Sequence, residues 1–175
     1  MRITISGLPG SGTTTLARTL SDQLTYTLIS AGEVFRQMAV EKGMSLAAFG
    51  AYCEKDPAAD HLIDTRQREI ALFSDNIIVE GRLSGWNLPE AELRIWLKAP
   101  LHVRTGRIFE RDEIADLTKA KEETRVREAS EEQRYRQYYS IDISDLTIYD
   151  IVLDSSRFMV EDLARIVLAA LPHTT

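Results

Sequence analysis

The sequence is poor in cysteine, in basic residues and in long apolar runs, and each shortage excludes a class of protein. Cys53 is the single cysteine, so no disulfide can form within the chain, and its apolar neighbours predict a buried thiol. With 21 Lys and Arg against 27 Asp and Glu, the net charge of -6 argues against a general nucleic-acid binder. No apolar run suits a membrane span or a signal peptide. We therefore expect a cytoplasmic protein without a membrane or nucleic-acid partner.

The chain alternates between short β-like runs and helical stretches. Strands are predicted at 3–6, 27–29, 76–80, 93–97 and 149–153. Helices are predicted at 13–24, 31–42, after Asp56-Pro57, over much of 101–139 and at 160–171. Strands that alternate with helices indicate a parallel sheet with helices on both faces. The prediction is an α/β fold with a five-stranded parallel sheet, in one domain over 1–175.

Apolar spacing also predicts which faces of two helices are buried. The second helix places Val34, Met38 and Val40 on its apolar side, and the helix after Asp56-Pro57 places Ile63, Ile70 and Phe73 on one face.

A glycine-rich segment follows the first strand and opens the first helix. It consists of Gly7, Leu8, Pro9, Gly10, Ser11, Gly12, Thr13, Thr14 and Thr15. Glycines let backbone N–H groups turn inward toward phosphate, and the positive end of the helix favours anions. This is the context of a P-loop, which predicts an ATP site with Thr14 placed to ligate Mg²⁺. The alternative is a Gly-rich turn without a ligand.

The segment departs from the P-loop pattern at one position. The pattern Gly-x-x-x-x-Gly-Lys-[Ser/Thr] requires lysine where this chain has Thr13. A threonine hydroxyl can donate one hydrogen bond to phosphate but carries no charge. The departure therefore bears on catalysis more than on nucleotide binding.

Two further clusters offer groups for a second phosphate. Arg36 lies one turn into the second helix, from which its guanidinium can reach a phosphate above the sheet; the alternative is a surface arginine paired with Glu33. Glu80 ends a buried strand, where α/β proteins place ligand groups, and a carboxylate there can hold Mg²⁺ through water. Gly81 permits a turn, and Arg82 can clamp a phosphate through two hydrogen bonds. The alternative for this second cluster is a salt-bridged strand end.

Taken in order, these motifs resemble the nucleoside monophosphate kinases, and most closely the archaeal-type cytidylate kinases. The resemblance covers nearly the whole chain. It is carried by Gly7–Thr15, Ile29–Arg36, Asp56-Pro57, Glu80-Gly81-Arg82, residues 95–100, Arg107-Ile108 with Arg111, Arg127-Glu128 with Arg134-Tyr135, and Ile148-Tyr149-Asp150. It implies a P-loop NTPase core, a helical monophosphate-binding insert over residues 33–72 and a short arginine-bearing lid over residues 107–127.

The resemblance also implies a reaction. ATP is the phosphoryl donor, Mg²⁺ accompanies it, and CMP or dCMP is the acceptor. Arg36, Glu80, Gly81 and Arg82 then bind the acceptor, with Thr14 and Glu80 at the metal. Asp60, Asp64 and Arg68 of the insert either face the acceptor base or sugar or are solvated helix charges. We expect a monomer whose partners are small nucleotides.

The segment from Leu101 to Tyr139 carries seven arginines. Because phosphoryl transfer depends on positioning and charge stabilisation, a closing lid that carries arginines suits it. We predict catalytic roles for Thr13, Arg107, Arg111, Arg127 and Arg134. The alternative for each arginine is an ordinary salt bridge, such as Glu123 with Arg127 or Glu131 with Arg134.

Three other functions stay compatible with the sequence. The acceptor could be AMP or UMP, or an unrelated small molecule, since a fold does not fix its substrate. The third is a catalytically impaired nucleotide-binding regulator, which Thr13 suggests. The scattered His61, His102 and His173 support no zinc site.

Overall fold

The computed structural model describes residues 1–44, 48–49, 52–53, 57–112 and 116–171, with only the backbone at 57–60. The strands are β1 (Arg2–Gly7), β2 (Thr27–Ser30), β3 (Ile77–Glu80), β4 (Leu93–Lys98) and β5 (Ile151–Asp154). The helices are α1 (Thr13–Leu24), α2 (Ala31–Glu41), α3 (Pro57–Leu72), α4 (Ser84–Asn87), α5 (Leu101–Arg111), α6 (Leu117–Tyr139) and α7 (Val160–Ala169). All strands pair in parallel, in the order β2-β3-β1-β4-β5. The predicted five-stranded parallel sheet is confirmed.

Side chains that alternate along β1 enter two different layers, as the pleat of a strand requires. Ile3 and Ile5 are fully buried in a core that includes Leu16 of α1 and Leu163 of α7. The intervening Thr4 and Ser6 are also fully buried, but point to the other face, where Ser6 Oγ lies 2.8 Å from Ser84 Oγ. Both faces of the central strand are therefore covered.

A smaller core forms between α2, α3 and the chain that joins them. Val34, Met38, Phe49, Cys53 and Ile63 are buried together there. The predicted burial of Cys53 is confirmed, with 3% of its surface exposed. Asp56 of the predicted motif lies outside the described residues, as does the side chain of Asp60.

Two of the apolar residues that were predicted to be buried face solvent instead. Val40 is 78% exposed, since it lies beside the face of α2 that Val34 and Met38 bury. Phe73 is 93% exposed because α3 ends at Leu72, so helical spacing no longer applies to it. These two assignments were wrong.

The buried face of α3 includes a polar residue, so the spacing of the apolar residues alone did not predict this face correctly. Ile63, Gln67 and Ala71 are buried at four-residue intervals, whereas Ile70 is 39% exposed beside this stripe. Gln67 is only 2% exposed because its Nε2 donates to the main-chain oxygen of Glu80 at 2.9 Å. The prediction for Ile70 was wrong for this reason.

The register of the sheet brings three chain segments together at its carboxyl edge. Ile5 of β1 lies beside Glu80 of β3, and Ser30 of β2 lies on the other side of Glu80. Ligand groups in open α/β sheets collect at this edge. Among the described residues, no helix is long and apolar enough to cross a membrane.

Candidate active site

The loop between β1 and α1 has the backbone geometry of an anion-binding turn. Gly10 and Gly12 have φ of 76° and 93°, values that side chains disfavour, and Ser11 N donates to Leu8 O at 3.1 Å. Helix α1 then starts at Thr13 with its unsatisfied N–H groups toward the loop. The geometry suits a phosphate at this position.

Helix α5 packs tightly against the back of this loop. A Cβ added to Gly10 would lie 2.4 Å from the main-chain oxygen of Arg104, whereas one added to Gly106 of the same helix would meet nothing within 4 Å. Gly10 is therefore fixed both by its backbone conformation and by the approach of α5.

We predict opposite stability changes for alanine at these two glycines. Gly10→Ala is expected to lower the free energy of unfolding by about 2 kcal/mol or more, because positive φ and backbone contact both oppose a Cβ. Gly106→Ala is expected to raise it by about 0.5–1 kcal/mol, since alanine favours the helix interior. Denaturant unfolding of both variants measures the difference. Equal stability of the two variants would contradict the loop geometry described above.

Glu80 is the centre of a buried hydroxyl network at the end of β3. Its Oε1 accepts from Thr13 Oγ1 at 2.6 Å and lies 3.4 Å from Thr14 Oγ1, and its Oε2 accepts from Ser30 Oγ at 2.7 Å. Glu80 and Thr13 are each 8% exposed. The hydroxyl that replaces the P-loop lysine is thus directed at a carboxylate on the neighbouring strand.

Arg82 follows this strand end and joins the loop to helix α6. Its Nε donates to Glu131 Oε2 at 2.6 Å, and its Nη1 donates to the main-chain oxygen of Gly7 at 3.1 Å. Burial acts to lower the pKa of the Arg82 guanidinium, but Glu131, together with Tyr135 and Glu80, outweighs burial and raises that pKa above its ordinary value. Burial likewise acts to raise the pKa of Glu131, yet Arg82 and Arg127 bring it below its ordinary value. Both groups stay charged near neutral pH.

Two arginines of α5 bind the carbonyl side of the loop. Arg104 is 5% exposed; it donates to Pro9 O at 3.1 Å and forms an ion pair with Glu128 of α6. Arg107 Nη1 lies 3.2 Å from Gly10 O and 3.0 Å from Ser155 Oγ. The loop therefore directs its carbonyl groups toward arginines.

The other predicted lid arginines occupy more exposed positions. Arg111 is bound to Asp112 at 2.6 Å, and this hydrogen bond raises the pKa of Arg111 although the charge of Arg82 opposes it. Arg127 Nε donates to Glu131 Oε1 at 2.8 Å with a side chain that is 60% exposed. Arg134 lies on the same helix and is partly buried. The structure thus brings Arg82, Arg111 and Arg127 within electrostatic range of one another.

Several pairings differ from those that helical spacing offered. Glu123 pairs with Lys119 at 3.7 Å, and Glu131 pairs with Arg82 and Arg127. Those two helix pairings were wrong. Each glutamate instead pairs with the basic residue four positions before it on α6, and Glu131 also binds Arg82, which lies on another element and cannot be found from helical spacing.

The residues of the insert that were predicted for the acceptor side differ in their contacts. Arg36 is exposed, with its Nη1 near Gly32, while Glu33 lies 3.9 Å from Arg18 rather than pairing with Arg36. Arg68 is bound to Glu90 at 2.5 Å, which matches the alternative of a surface helix charge.

Sequence reasoning missed several residues of the site. They are Ser30, Gln67, Glu128, Glu131 and Ser155. Four of them bind the loop or the end of β3 and the turn after it, and Glu128 binds Arg104 of α5, which in turn binds the loop. A signal existed for one pair, because Glu128 and Glu131 lie three apart and share a helix face. Their arginine partners come from other elements and could not be read from spacing.

The donors at Thr14 and Glu80 fit Mg²⁺. Both supply oxygen, 3.4 Å apart, and Thr14 is exposed toward the loop. Mg²⁺ in nucleotide sites takes one or two protein oxygens and completes its shell with water and phosphate. Within the described ranges, no group of three His, Cys, Asp or Glu residues could hold a metal by itself.

Solved structures define the class of fold. A shikimate kinase from Bacteroides thetaiotaomicron superposes with a TM-score of 0.64 at 14% identity, covering 98% of this chain and 99% of that chain. A gluconokinase from Sinorhizobium meliloti 1021 gives a TM-score of 0.60 at 12% identity, covering 96% and 89%. The molecule has the P-loop NTPase fold, as the sequence predicted.

Sequence comparison then gives the family. The model of the cytidylate kinase-like family matches residues 2–157. A cytidylate kinase from Methanospirillum hungatei JF-1 is 59% identical over 171 residues, which cover 98% of this chain and 96% of that protein. A cytidylate kinase from Archaeoglobus fulgidus is 49% identical over 170 residues, with 97% and 94% covered. The chain belongs to the cytidylate kinase-like family, and the predicted resemblance is confirmed.

Proposed function

We propose that this chain is an ATP-dependent cytidylate kinase, which converts CMP or dCMP into its diphosphate. The observation that carries the proposal is the 59% identity to a cytidylate kinase across nearly the full length of both proteins. The loop geometry and the arginines around it support the same chemistry, because phosphoryl transfer needs anion sites and positive charge at fixed positions.

The donor ATP lies on the loop from Gly7 to Thr15. The positive φ of Gly10 and Gly12 and the start of α1 support this placement, since they provide inward N–H groups at a helix N-terminus. Thr14 and, through water, Glu80 would hold Mg²⁺, which supplies charge neutralisation on the β- and γ-phosphates when bound. Thr13 and Ser30 fix the Glu80 carboxylate by hydrogen bonds.

The acceptor monophosphate lies between Arg36 and Arg82. Arg82 supports this role because its Nε and Nη1 donate to Glu131 and Gly7, whereas its Nη2 donates to none of the described residues. The Nη2 edge of the Arg82 guanidinium can therefore donate to a phosphate oxygen. Arg36 is exposed and can move toward the same phosphate when the insert over residues 33–72 closes.

The transfer proceeds in line and without a covalent enzyme intermediate. A phosphate oxygen of CMP forms a bond to the γ-phosphorus as the bond from that phosphorus to the β–γ bridging oxygen breaks. The products are CDP and ADP. Arg107, Arg111, Arg127 and Arg134, in or next to the lid over residues 107–127, stabilise the charge of the transferred group, and closure excludes water that would otherwise hydrolyse ATP.

A panel of acceptors tests the proposal. ADP release, measured in a coupled assay, is expected to be fastest with CMP or dCMP and slower with UMP and AMP. Faster turnover of AMP or UMP would change the assigned acceptor. ADP release with none of the monophosphates would contradict the kinase assignment.

A further inference from the structure

One carboxylate on α6 holds two arginines from different parts of the chain. Glu131 Oε2 accepts from Arg82 Nε at 2.6 Å, and Glu131 Oε1 accepts from Arg127 Nε at 2.8 Å. Arg82 belongs to the turn after β3, whereas Arg127 lies one turn before Glu131 on α6. The Glu131 side chain is 9% exposed and that of Arg82 is 18% exposed. A buried charge of this kind persists only when it is paired.

The shared carboxylate allows two like charges to lie side by side. Two guanidinium groups that approach one carboxylate repel each other, and the anion between them offsets that repulsion. The group of three keeps a net positive charge, since two cations share one anion. Arg82 is also bound to Gly7 O, so this positive charge lies beside the first residue of the loop.

The orientation of Arg82 leaves a defined edge for a ligand. Because Glu131 takes Nε and Gly7 takes Nη1, the guanidinium plane is fixed at two points. An arginine whose plane is fixed loses less conformational entropy when it binds a phosphate.

We propose that Glu131 is a positioning residue, which fixes Arg82 for the acceptor phosphate and holds Arg127 beside it, where the transferred group arrives. The inference rests on the proposed function and deepens it by assigning a residue to the organisation of the acceptor site. Glu131 itself contacts no phosphate.

Glutamine is the informative replacement, because it has one acceptor oxygen where glutamate has two. Glu131→Gln can accept from either Arg82 or Arg127, while its amide NH₂ repels the donors of the other arginine. Glu131→Asp keeps both acceptor oxygens and the charge on a shorter side chain. Glu132→Gln is the matched control, since it removes the same charge from the next residue of α6, whose described partner is Arg136 at the surface.

The experiment compares the wild-type protein with Glu131→Gln, Glu131→Asp and Glu132→Gln. Steady-state kinetics gives kcat and the Michaelis constants for CMP and ATP, and calorimetry gives the dissociation constant for CMP. Glu131→Gln is expected to raise the KM and Kd for CMP by about 10- to 100-fold, the effect of one charged hydrogen bond. The KM of Glu131→Gln for ATP is expected to change by less than about twofold. In Glu132→Gln, the constants for both CMP and ATP are expected to change by less than about twofold. Glu131→Asp is expected to recover part of the CMP affinity, and it also tests the inference if the glutamine variant does not fold.

The outcomes separate the inference from the proposed function. A wild-type KM and Kd for CMP in Glu131→Gln, or equal changes in the KM for CMP and for ATP, would overturn the positioning role. The proposed function would still stand if the wild-type protein phosphorylated CMP. A lower KM for CMP would show that Glu131 competes with the phosphate, and would also overturn the role. If the wild-type protein neither bound nor phosphorylated CMP, the proposed function and the inference would both fail.

Discussion

Replacing Arg82 with alanine is expected to raise the Michaelis constant for CMP by about 30-fold or more, with a much smaller change for ATP. The variant removes the guanidinium edge assigned to the acceptor phosphate. It also leaves Glu131 with Arg127 as its remaining described partner, although Arg127 is 60% exposed. Steady-state kinetics with each substrate varied in turn measures both constants.

Arg165→Ala is the matched control for this experiment. Arg165 also forms an ion pair, with Asp162, but its side chain is 76% exposed on α7 and lies outside the site. Surface pairs of this kind contribute little to stability. A change confined to the ATP constant in Arg82→Ala would place Arg82 on the donor side and contradict the acceptor site proposed above.

The second large effect concerns Thr13, where the chain lacks the P-loop lysine. Loss of one charge-stabilising group can cost about 3–4 kcal/mol of transition-state stabilisation, so an active enzyme must recover that charge elsewhere. Thr13 Oγ1 donates a hydrogen bond to Glu80, so the hydroxyl has a partner within the protein. Thr13 carries no positive charge that could stabilise the γ-phosphate. We expect Arg107, Arg111, Arg127 or Arg134 to take over part of the role of lysine.

Turnover measurements test this expectation. They compare wild type, Thr13→Lys, the four Arg→Ala variants and each Arg→Ala variant combined with Thr13→Lys. Compensation predicts a large loss of kcat in at least one arginine variant, partly restored by Thr13→Lys. Thr19→Lys is a control that adds the same charge further along α1. Strictly additive effects would count against compensation. Activity that appeared only in Thr13→Lys would favour a nucleotide-binding regulator.

The sequence predicted the sheet well because its signals are local. The apolar run before Glu80 gave β3, and the glycines after β1 gave the loop and the start of α1. The burial of α3 was predicted less well, since Gln67 interrupts the apolar stripe yet is buried by one hydrogen bond to Glu80 O. Local spacing cannot show such a partner.

The site was predicted by residue type more than by arrangement. Glu80 and Arg82 were selected because they end a buried strand, but the hydroxyls that surround Glu80 come from two other segments. The salt-bridge alternative for Arg134 paired it with Glu131 because both lie on α6, whereas the contact of Glu131 with Arg82 spans 49 residues. Contacts of this kind depend on the packing of α6 against α5 and the turn after β3, which cannot be predicted from residue spacing. The insert, the lid and the roles of the individual arginines stay predictions.

The most direct measurement of the central claim follows the transferred phosphoryl group itself. In a single turnover, the protein in excess over ATP labelled at the γ-phosphate is mixed with CMP, and the products are separated. The account predicts that the label appears in the β-phosphate of CDP, at a rate that matches ADP formation, and that little appears as inorganic phosphate. Label that stayed in ATP, or that appeared only as inorganic phosphate, would contradict it.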